Sequence, residues 1–341
     1  EMGKSVQVSV ACPVCASAFS PTRSGHLYCS ETCRKRHHKQ EKAKETKVKK
    51  ARRIAAKFKK LSTTPFGKYL VRELKRAGSV EVLRGHTKTS LGSLVKLRTR
   101  CNTVSGYDEG KPRGTYELSH IYAAQGEHGL GRLHPKNLAI APREFNRRIG
   151  AAGSDDWEDL YVDYPLLEDK WKLSPDMQAE QVLKLARKYL KEPFDDWLSS
   201  FTIAASQQQT LIKKLIEQGY KQSNLIGLDL DELKELAANA EIEVYTDNSN
   251  SKGEFDVLCE ELARQIPSSE LLSVALVLKE IRWASNIDDV LFRLKEKDII
   301  AATEFVCEQG WRRLHRMQCE SEWHGIPLNE FFTGNPLESE I

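Results

Sequence analysis

Two stretches decide the fold of the central region: Tyr116-Glu117-Leu118-Ser119-His120-Ile121 and His134-Pro135-Lys136-Asn137-Leu138-Ala139-Ile140-Ala141-Pro142-Arg143-Glu144-Phe145-Asn146-Arg147-Arg148. The first has the pattern of a strand that ends in a histidine. The second is a short apolar strand entered through Asn137, and after Pro142 it continues into an Arg-rich helix that carries Asn146. The predicted unit is therefore a strand, a second strand and a helix.

The polar residues of this unit suit chemistry on phosphodiesters. A histidine that closes a strand can deprotonate a water molecule. A carboxamide oxygen is a hard ligand that suits Mg²⁺ or Mn²⁺ beside a phosphate. With these residues the stretch from about Gly114 to Gly150 resembles the HNH, or His-Me finger, endonucleases, whose core is a ββα-metal unit. The resemblance implies that His120 is the general base, that Asn137 orients its imidazole, and that Asn146 ligates a divalent metal.

One position departs from that family pattern. Many members carry an acidic metal ligand immediately before the base, and here that position is Ser119. The nearest carboxylate is Glu117, which in an extended strand shares a face with Ser119, opposite to Leu118 and His120. We therefore expect Glu117 to reach the metal only if the strand twists or bulges. Otherwise Asn146 and water hold the ion.

A lone histidine is more often structural than catalytic, so the prediction rests on a combination of residues. His120, Asn137 and Asn146 occur within about forty residues, in the family's order of elements. Arg132, in the glycine-rich loop between the two strands, is the preferred candidate for holding the substrate, because a guanidinium matches the geometry of a phosphate.

Four cysteines near the amino terminus form two close pairs. Cys12 and Cys15 make a Cys-Pro-Val-Cys pair, and thirteen residues separate it from the second pair, Cys29 and Cys33. This spacing lets four thiolates converge on one Zn²⁺, and such a closed site is structural. The motif resembles small treble-clef or zinc-ribbon modules. Disulfide bonds are the alternative interpretation, but the other four cysteines are scattered as in cytosolic proteins.

A strongly basic segment follows the cysteines. Residues 34–60 contain fourteen Lys or Arg against two Glu, a local charge of +12 in a chain whose net charge is +4. Apolar residues recur there at steps of three and four, which predicts a helix over 34–62. A charge run is often only a solvated helix face, but beside a zinc module it favours contact with a phosphate backbone. The predicted nucleic-acid-binding residues are Arg34, Lys35, Arg36, Lys49, Lys50, Arg52, Arg53 and Lys57 here, and Arg113, Arg143, Arg147 and Arg148 in the nuclease-like region.

The chain of 341 residues, 40% of them hydrophobic, is long enough for two or three domains. We predict a zinc-binding module over 1–38, a basic helix or linker over 39–62, an HNH-like ββα-metal domain over 63–153, and an acidic helical domain over 154–341. The last divides into subdomains 154–205 and 206–341. The fold class is α+β, mostly α. Predicted helices lie at about 65–76, 175–190, 207–218, 229–240, 254–265, 268–284, 287–295 and 299–318.

These features predict a DNA endonuclease with structural zinc and catalytic Mg²⁺ or Mn²⁺, acting on duplex or branched DNA. A monomer would nick one strand, and a homodimer would cut both. Two other functions remain open: a noncatalytic DNA-binding protein that keeps a degenerate HNH scaffold, and a factor that modulates a partner nuclease through the acidic helical half. The sequence has no eighteen-residue apolar run and no signal-peptide pattern, so we expect a cytoplasmic protein of a bacterial or phage-infected cell.

Overall fold

A computed structural model of the chain describes residues 9–108, 111–150, 159–204, 207–242, 251–283 and 296–315. The chain divides into two compact units, Glu1–Lys60 and Leu61–Ile341. The described residues are mostly helical with small two-stranded sheets, and this confirms the predicted α+β, mostly α class at that level.

The elements of the described residues are as follows. The helices are α1 (Glu31–Leu61), α2 (Pro65–Ala77), α3 (Lys88–Ser105), α4 (Arg143–Ile149), α5 (Ala179–Leu190), α6 (Glu192–Ser200), α7 (Gln207–Glu217), α8 (Gln222–Leu225), α9 (Leu230–Asn239), α10 (Glu254–Gln265), α11 (Glu270–Trp283) and α12 (Glu296–Leu314). The strands are β1 (Val10–Ala11), β2 (Ala18–Phe19), β3 (Tyr107–Asp108), β4 (Lys111–Pro112), β5 (Tyr116–His120), β6 (Gly129–Gly131), β7 (Leu138–Pro142) and β8 (Tyr161–Asp163).

The first unit consists of the β1–β2 hairpin followed by helix α1. The hairpin pairs Val10 with Phe19. Helix α1 runs for 31 residues and has ion pairs in which a glutamate precedes its basic partner, such as Glu31 with Lys35 at 3.1 Å. That order complements the helix dipole. The apolar residues that predicted this helix are buried only near its carboxyl end: Ile54 is buried, whereas Val48 is half exposed.

The second unit contains the predicted strand, strand and helix. Strands β5 and β7 are antiparallel and in regular register, from Tyr116 opposite Pro142 to His120 opposite Leu138. Helix α4 then starts at Arg143, directly after β7. Strand β7 is apolar because both of its faces are covered, and its first four residues are all buried.

Helix α10 covers the other edge of β7, where a third strand would otherwise pair. The buried carboxylate of Glu261 accepts a hydrogen bond from the Ile140 backbone N–H at 3.0 Å. The carbonyl oxygen of Leu138 accepts bonds from Arg264 at 2.6 Å and from Gln265 at 2.8 Å. These side chains satisfy the backbone groups of the free edge, as buried polar groups require.

The carboxyl-terminal helices form two further groups. Helices α7, α8 and α9 bury a small cluster of their own that contains Leu211, Leu215, Leu225, Leu233 and Ala237. Helices α10, α11 and α12 pack against one another, with Leu258 and Trp311 buried among them.

Several elements of the structure were not predicted from the sequence. Helix α3 was not among the predicted helices, and α6 is a second helix in the region 154–205, where one was predicted. The short β3–β4 pair was also not predicted. The helix predicted at 287–295 lies outside the described residues. The other predicted helices agree with the structure to within a few residues.

Candidate functional site

The four cysteines of the two close pairs converge in the first unit. Cys12 and Cys15 lie in the β1–β2 hairpin and Cys33 lies in the first turn of α1. Their sulfur atoms, with that of Cys29, all lie within 4.8 Å of one another. The Sγ atoms of Cys15 and Cys29 are 3.4 Å apart, and those of Cys29 and Cys33 are 3.6 Å apart. Tetrahedral thiolates at about 2.3 Å from a metal ion would be about 3.8 Å apart, so this cluster can hold a metal ion.

Two of the four thiols have pKa values that are shifted in opposite directions. Side-chain hydrogen bonds to Cys15 and Cys33 favour the protonated form of Cys29 and raise its pKa to about 12. Hydrogen bonding, chiefly from the Cys29 backbone, lowers the pKa of Cys12 to about 6. Four thiolates at these separations repel one another, and a divalent cation removes that repulsion as it displaces their protons. All four are free thiols and not disulfides.

Helix α1 presents a dense set of cations. Seven of the eight basic residues that we predicted to bind nucleic acid in this segment are exposed, and only Lys57 is half-buried. The side chains of Lys35 and Lys49 are each more than 70% exposed, so their pairs with Glu31 and Glu45 leave them accessible to other anions. Surface ion pairs of this kind are weak and exchange readily.

In the second unit, Asn137 is fully buried beneath the ββα hairpin. Its Oδ1 accepts a hydrogen bond from the Tyr122 backbone N–H at 2.7 Å. Its Nδ2 donates to the carbonyl oxygens of Arg132 at 2.9 Å and Tyr122 at 3.2 Å. The side chain therefore fixes the backbone that leaves β5. It acts on the chain after His120, and the described residues contain no hydrogen bond from its carboxamide to the imidazole.

Three residues of the predicted site meet on one face of β5. Asn146, on α4, donates from Nδ2 to Oε2 of Glu117 at 3.0 Å. Its Oδ1 accepts from the hydroxyl of Ser119 at 2.7 Å. Glu117 also accepts from Nε of Arg143 at 2.9 Å. Because the register of β5 and β7 is regular throughout, Glu117 reaches Asn146 without the bulge that the sequence analysis expected it to need for metal binding.

His120 points away from that face and contacts helix α2. Its Nδ1 lies 3.1 Å from Nη2 of Arg76, which is also paired with Glu73 at 2.7 Å. A guanidinium can only donate, so Nδ1 accepts and the neutral ring carries its hydrogen on Nε2. Close packing, with a smaller effect from the charge of Arg76, lowers the pKa of His120 to about 3. The ring is therefore neutral at pH 7, the form that a general base needs.

The structure adds one residue that sequence reasoning missed. His315, just after α12, is fully buried, and its Nε2 lies 2.9 Å from the hydroxyl of Ser119. Its Nδ1 lies 2.8 Å from the carbonyl oxygen of Trp311. Burial lowers the pKa of His315 to about 4. No local signal near residue 315 identifies it, because nearly 200 residues separate it from Ser119 along the chain.

The arginines of the second unit differ in what they contact. Arg132 lies beside Gly85, and the described residues contain no hydrogen bond or ion pair that joins it to His120. Arg148 is paired with Glu308 at 2.6 Å and lies over the ring of Phe145. Arg113 and Arg147 are exposed. Arg143, paired with Glu117, is the one of these arginines that lies within the cluster around Asn146.

Comparison with protein-family models, with curated proteins and with solved structures gives no significant match to this chain. In the described part of the chain, the helices are too short or too polar to cross a lipid bilayer.

Proposed function

We propose that this chain is a divalent-metal-dependent DNA endonuclease, in which the ββα hairpin cleaves the phosphodiester and the first unit holds the DNA. The observation that carries this proposal is the meeting of Ser119 and Asn146 at 2.7 Å across β5 and α4. That contact brings the helix asparagine next to the residue that precedes His120. A cation held there would be one residue away from His120 along β5, on the opposite face of the strand, and would supply the charge stabilisation that phosphodiester hydrolysis uses.

The cysteine cluster and α1 supply affinity for the DNA backbone. Zinc is the ion that best fits four thiolates in a closed site, and it would fix the hairpin onto the start of α1. The exposed lysines and arginines of α1 then face the phosphates, and each neutralised phosphate releases counterions. Binding of this kind is independent of base sequence, because phosphates carry no sequence information.

The chemistry centres on His120 and Arg76. Nδ1 of His120 accepts a hydrogen bond from Arg76, so it can take a proton from water only when that guanidinium moves away. A scissile phosphate offers Arg76 a bidentate partner, and its side chain is half exposed and able to reach one. Substrate binding would thereby free the base. A divalent ion at Asn146 and Glu117 would stabilise the charge that develops on the phosphate.

A noncatalytic DNA-binding protein is the second candidate, and two observations favour it. Ser119 is uncharged where the family's acidic ligand would lie, and the lone pair of His120 Nδ1 is already engaged by Arg76. In that case the hairpin would serve as a scaffold and DNA affinity would come from α1 alone.

Nicking of supercoiled plasmid and of branched DNA with Mg²⁺ or Mn²⁺ tests the choice between the two. We expect His120→Ala to lower the nicking rate by at least about 100-fold, because general-base catalysis contributes 10²–10⁴-fold. DNA affinity should stay within twofold of wild type. His128→Ala, which removes an exposed histidine from the loop before β6, is the matched control and should nick at the wild-type rate. Equal nicking by His120→Ala and wild type would remove His120 from the mechanism, and absence of nicking by wild type would favour the noncatalytic protein.

A further inference from the structure

The polar groups around Ser119 offer more hydrogen-bond acceptors than there are hydrogen atoms to donate to them. The carboxylate of Glu117 can only accept, so Asn146 turns Nδ2 towards it and presents Oδ1 to Ser119. The carbonyl of Trp311 can only accept, so the neutral ring of His315 has its hydrogen on Nδ1 and a lone pair on Nε2. Ser119 has a single hydroxyl hydrogen between these two acceptors. One of the two lone pairs therefore has no hydrogen to accept.

The spacing of these three atoms suits a cation. Oγ of Ser119 lies 2.7 Å from Oδ1 of Asn146 and 2.9 Å from Nε2 of His315. Neighbouring ligands around an octahedral ion at about 2.1 Å lie about 3.0 Å apart. The same arrangement that leaves a lone pair without a hydrogen atom thus brings Oδ1 of Asn146 and Nε2 of His315 each to about that separation from Oγ of Ser119.

Burial gives the cluster a closed side and an open side. Ser119 and His315 are 1% and 0% exposed, whereas Glu117 and Arg143 keep about a third or more of their side-chain surface exposed. A metal site with protein ligands behind and an opening in front leaves positions for water and substrate, which a catalytic ion needs.

We propose that His315 is a ligand of the divalent ion and replaces the acidic ligand that Ser119 lacks. This inference rests on the proposed function for the identity of the site and adds a residue from the carboxyl end of α12. The ion is bound by Oδ1 of Asn146 and Nε2 of His315, with Oγ of Ser119 beside them. An imidazole ligand shifts the preference of an oxygen site from Mg²⁺ towards Mn²⁺ and other transition metals.

Direct binding of Mn²⁺, followed by electron paramagnetic resonance on the zinc-loaded full chain, tests this inference without relying on cleavage. His315→Gln is expected to weaken Mn²⁺ binding at least tenfold. His128→Ala, which removes an exposed histidine from the loop before β6, is the matched histidine control and should bind Mn²⁺ as wild type does. Unchanged Mn²⁺ affinity in His315→Gln, or no Mn²⁺ binding by wild type, would overturn the inference.

A second variant keeps the test decisive if His315→Gln does not fold. Ser119→Asp restores the acidic ligand, so it should raise Mg²⁺ affinity at least tenfold, and Mg²⁺ should raise its melting temperature more than that of wild type. A site that holds no cation predicts the opposite, because a buried unpaired carboxylate destabilises the fold whatever Mg²⁺ is present. Mn²⁺ binding that depends on His315, together with no nicking of any DNA, would support the inference and refute the proposed nuclease.

Discussion

Among the predicted site residues, Asn137 combines full burial with several hydrogen bonds. Its side chain is fully buried and makes three hydrogen bonds, all to the backbone of Tyr122 and Arg132. The sequence resemblance implied that it orients the imidazole of His120. In the structure, the Asn137 side chain instead binds the backbone of the loop that follows β5. Any effect of Asn137 on His120 is therefore transmitted through the backbone.

Replacement of Asn137 by alanine should therefore affect both stability and rate. It leaves one buried N–H and two carbonyl groups without their partner, and each buried unsatisfied group costs about 1–3 kcal/mol. We expect the free energy of unfolding, measured with urea, to fall by about 3 kcal/mol. Nicking should slow at temperatures where the variant is still folded, with DNA affinity retained. Asn102→Ala on α3 is the control, and a variant at 137 with wild-type stability would contradict this role.

At the scale of elements, the sequence predicted the structure best where an apolar pattern repeats over many residues or where several motif residues lie close together. The ββα order, helix α1 and most carboxyl-terminal helices could be predicted in this way. Helix α3 could not, because Thr, Ser and Gly92 weaken its helix propensity even though Leu91, Leu94, Leu97 and Cys101 repeat at helical steps. Its start is set by a capping box between Thr87 and Ser90, a local signal that was present in the sequence.

The covering of β7 by α10 shows a second limit of sequence reasoning. Glu261, Arg264 and Gln265 look like ordinary surface residues of an amphipathic helix, yet they bond to the backbone of a strand more than 120 residues away. A long-range contact of this kind leaves no periodic signal. His315 escaped prediction for the same reason, since its partner Ser119 belongs to a distant strand.

Helix α1 yields a prediction at this scale. Replacing Lys49, Arg52 and Arg53 together by alanine should weaken DNA binding equally for unrelated sequences. It should also reduce the slope of log K against log salt concentration by up to about three, since each phosphate contact contributes about 0.9. Fluorescence anisotropy over a range of salt concentrations measures both quantities. Alanine at Lys184, Lys188 and Lys213, exposed lysines of α5 and α7, is the matched control. An equal loss of slope in the control would show that α1 has no special role.

At the scale of the whole molecule, several histidines make folding depend on pH. Burial lowers the pKa of His86, of His134 and of His315 to about 4 each, and that of His120 to about 3. In the unfolded chain a histidine titrates near 6.5. As the pH falls through 6.5 the unfolded chain therefore binds protons before the folded chain does. Stability is fully present above that pH and is lost progressively towards pH 4.

His86 reports this effect away from the Asn146 cluster; its hydrogen bonds are defined, and its ring lies 4.7 Å from that of His134. Its Nε2 donates to the Leu133 carbonyl at 2.7 Å, and its Nδ1 accepts from Ser90 at 2.8 Å. With a pKa near 4 in the folded chain, it should account for about 2 kcal/mol of the stability lost between pH 7.5 and pH 5. His86→Gln keeps a donor and an acceptor but does not titrate, so urea unfolding at the two pH values should show a loss about 2 kcal/mol smaller than in wild type. An identical loss in the two proteins would mean that folding does not lower the pKa of His86, and its assignment as a buried neutral ring would be wrong.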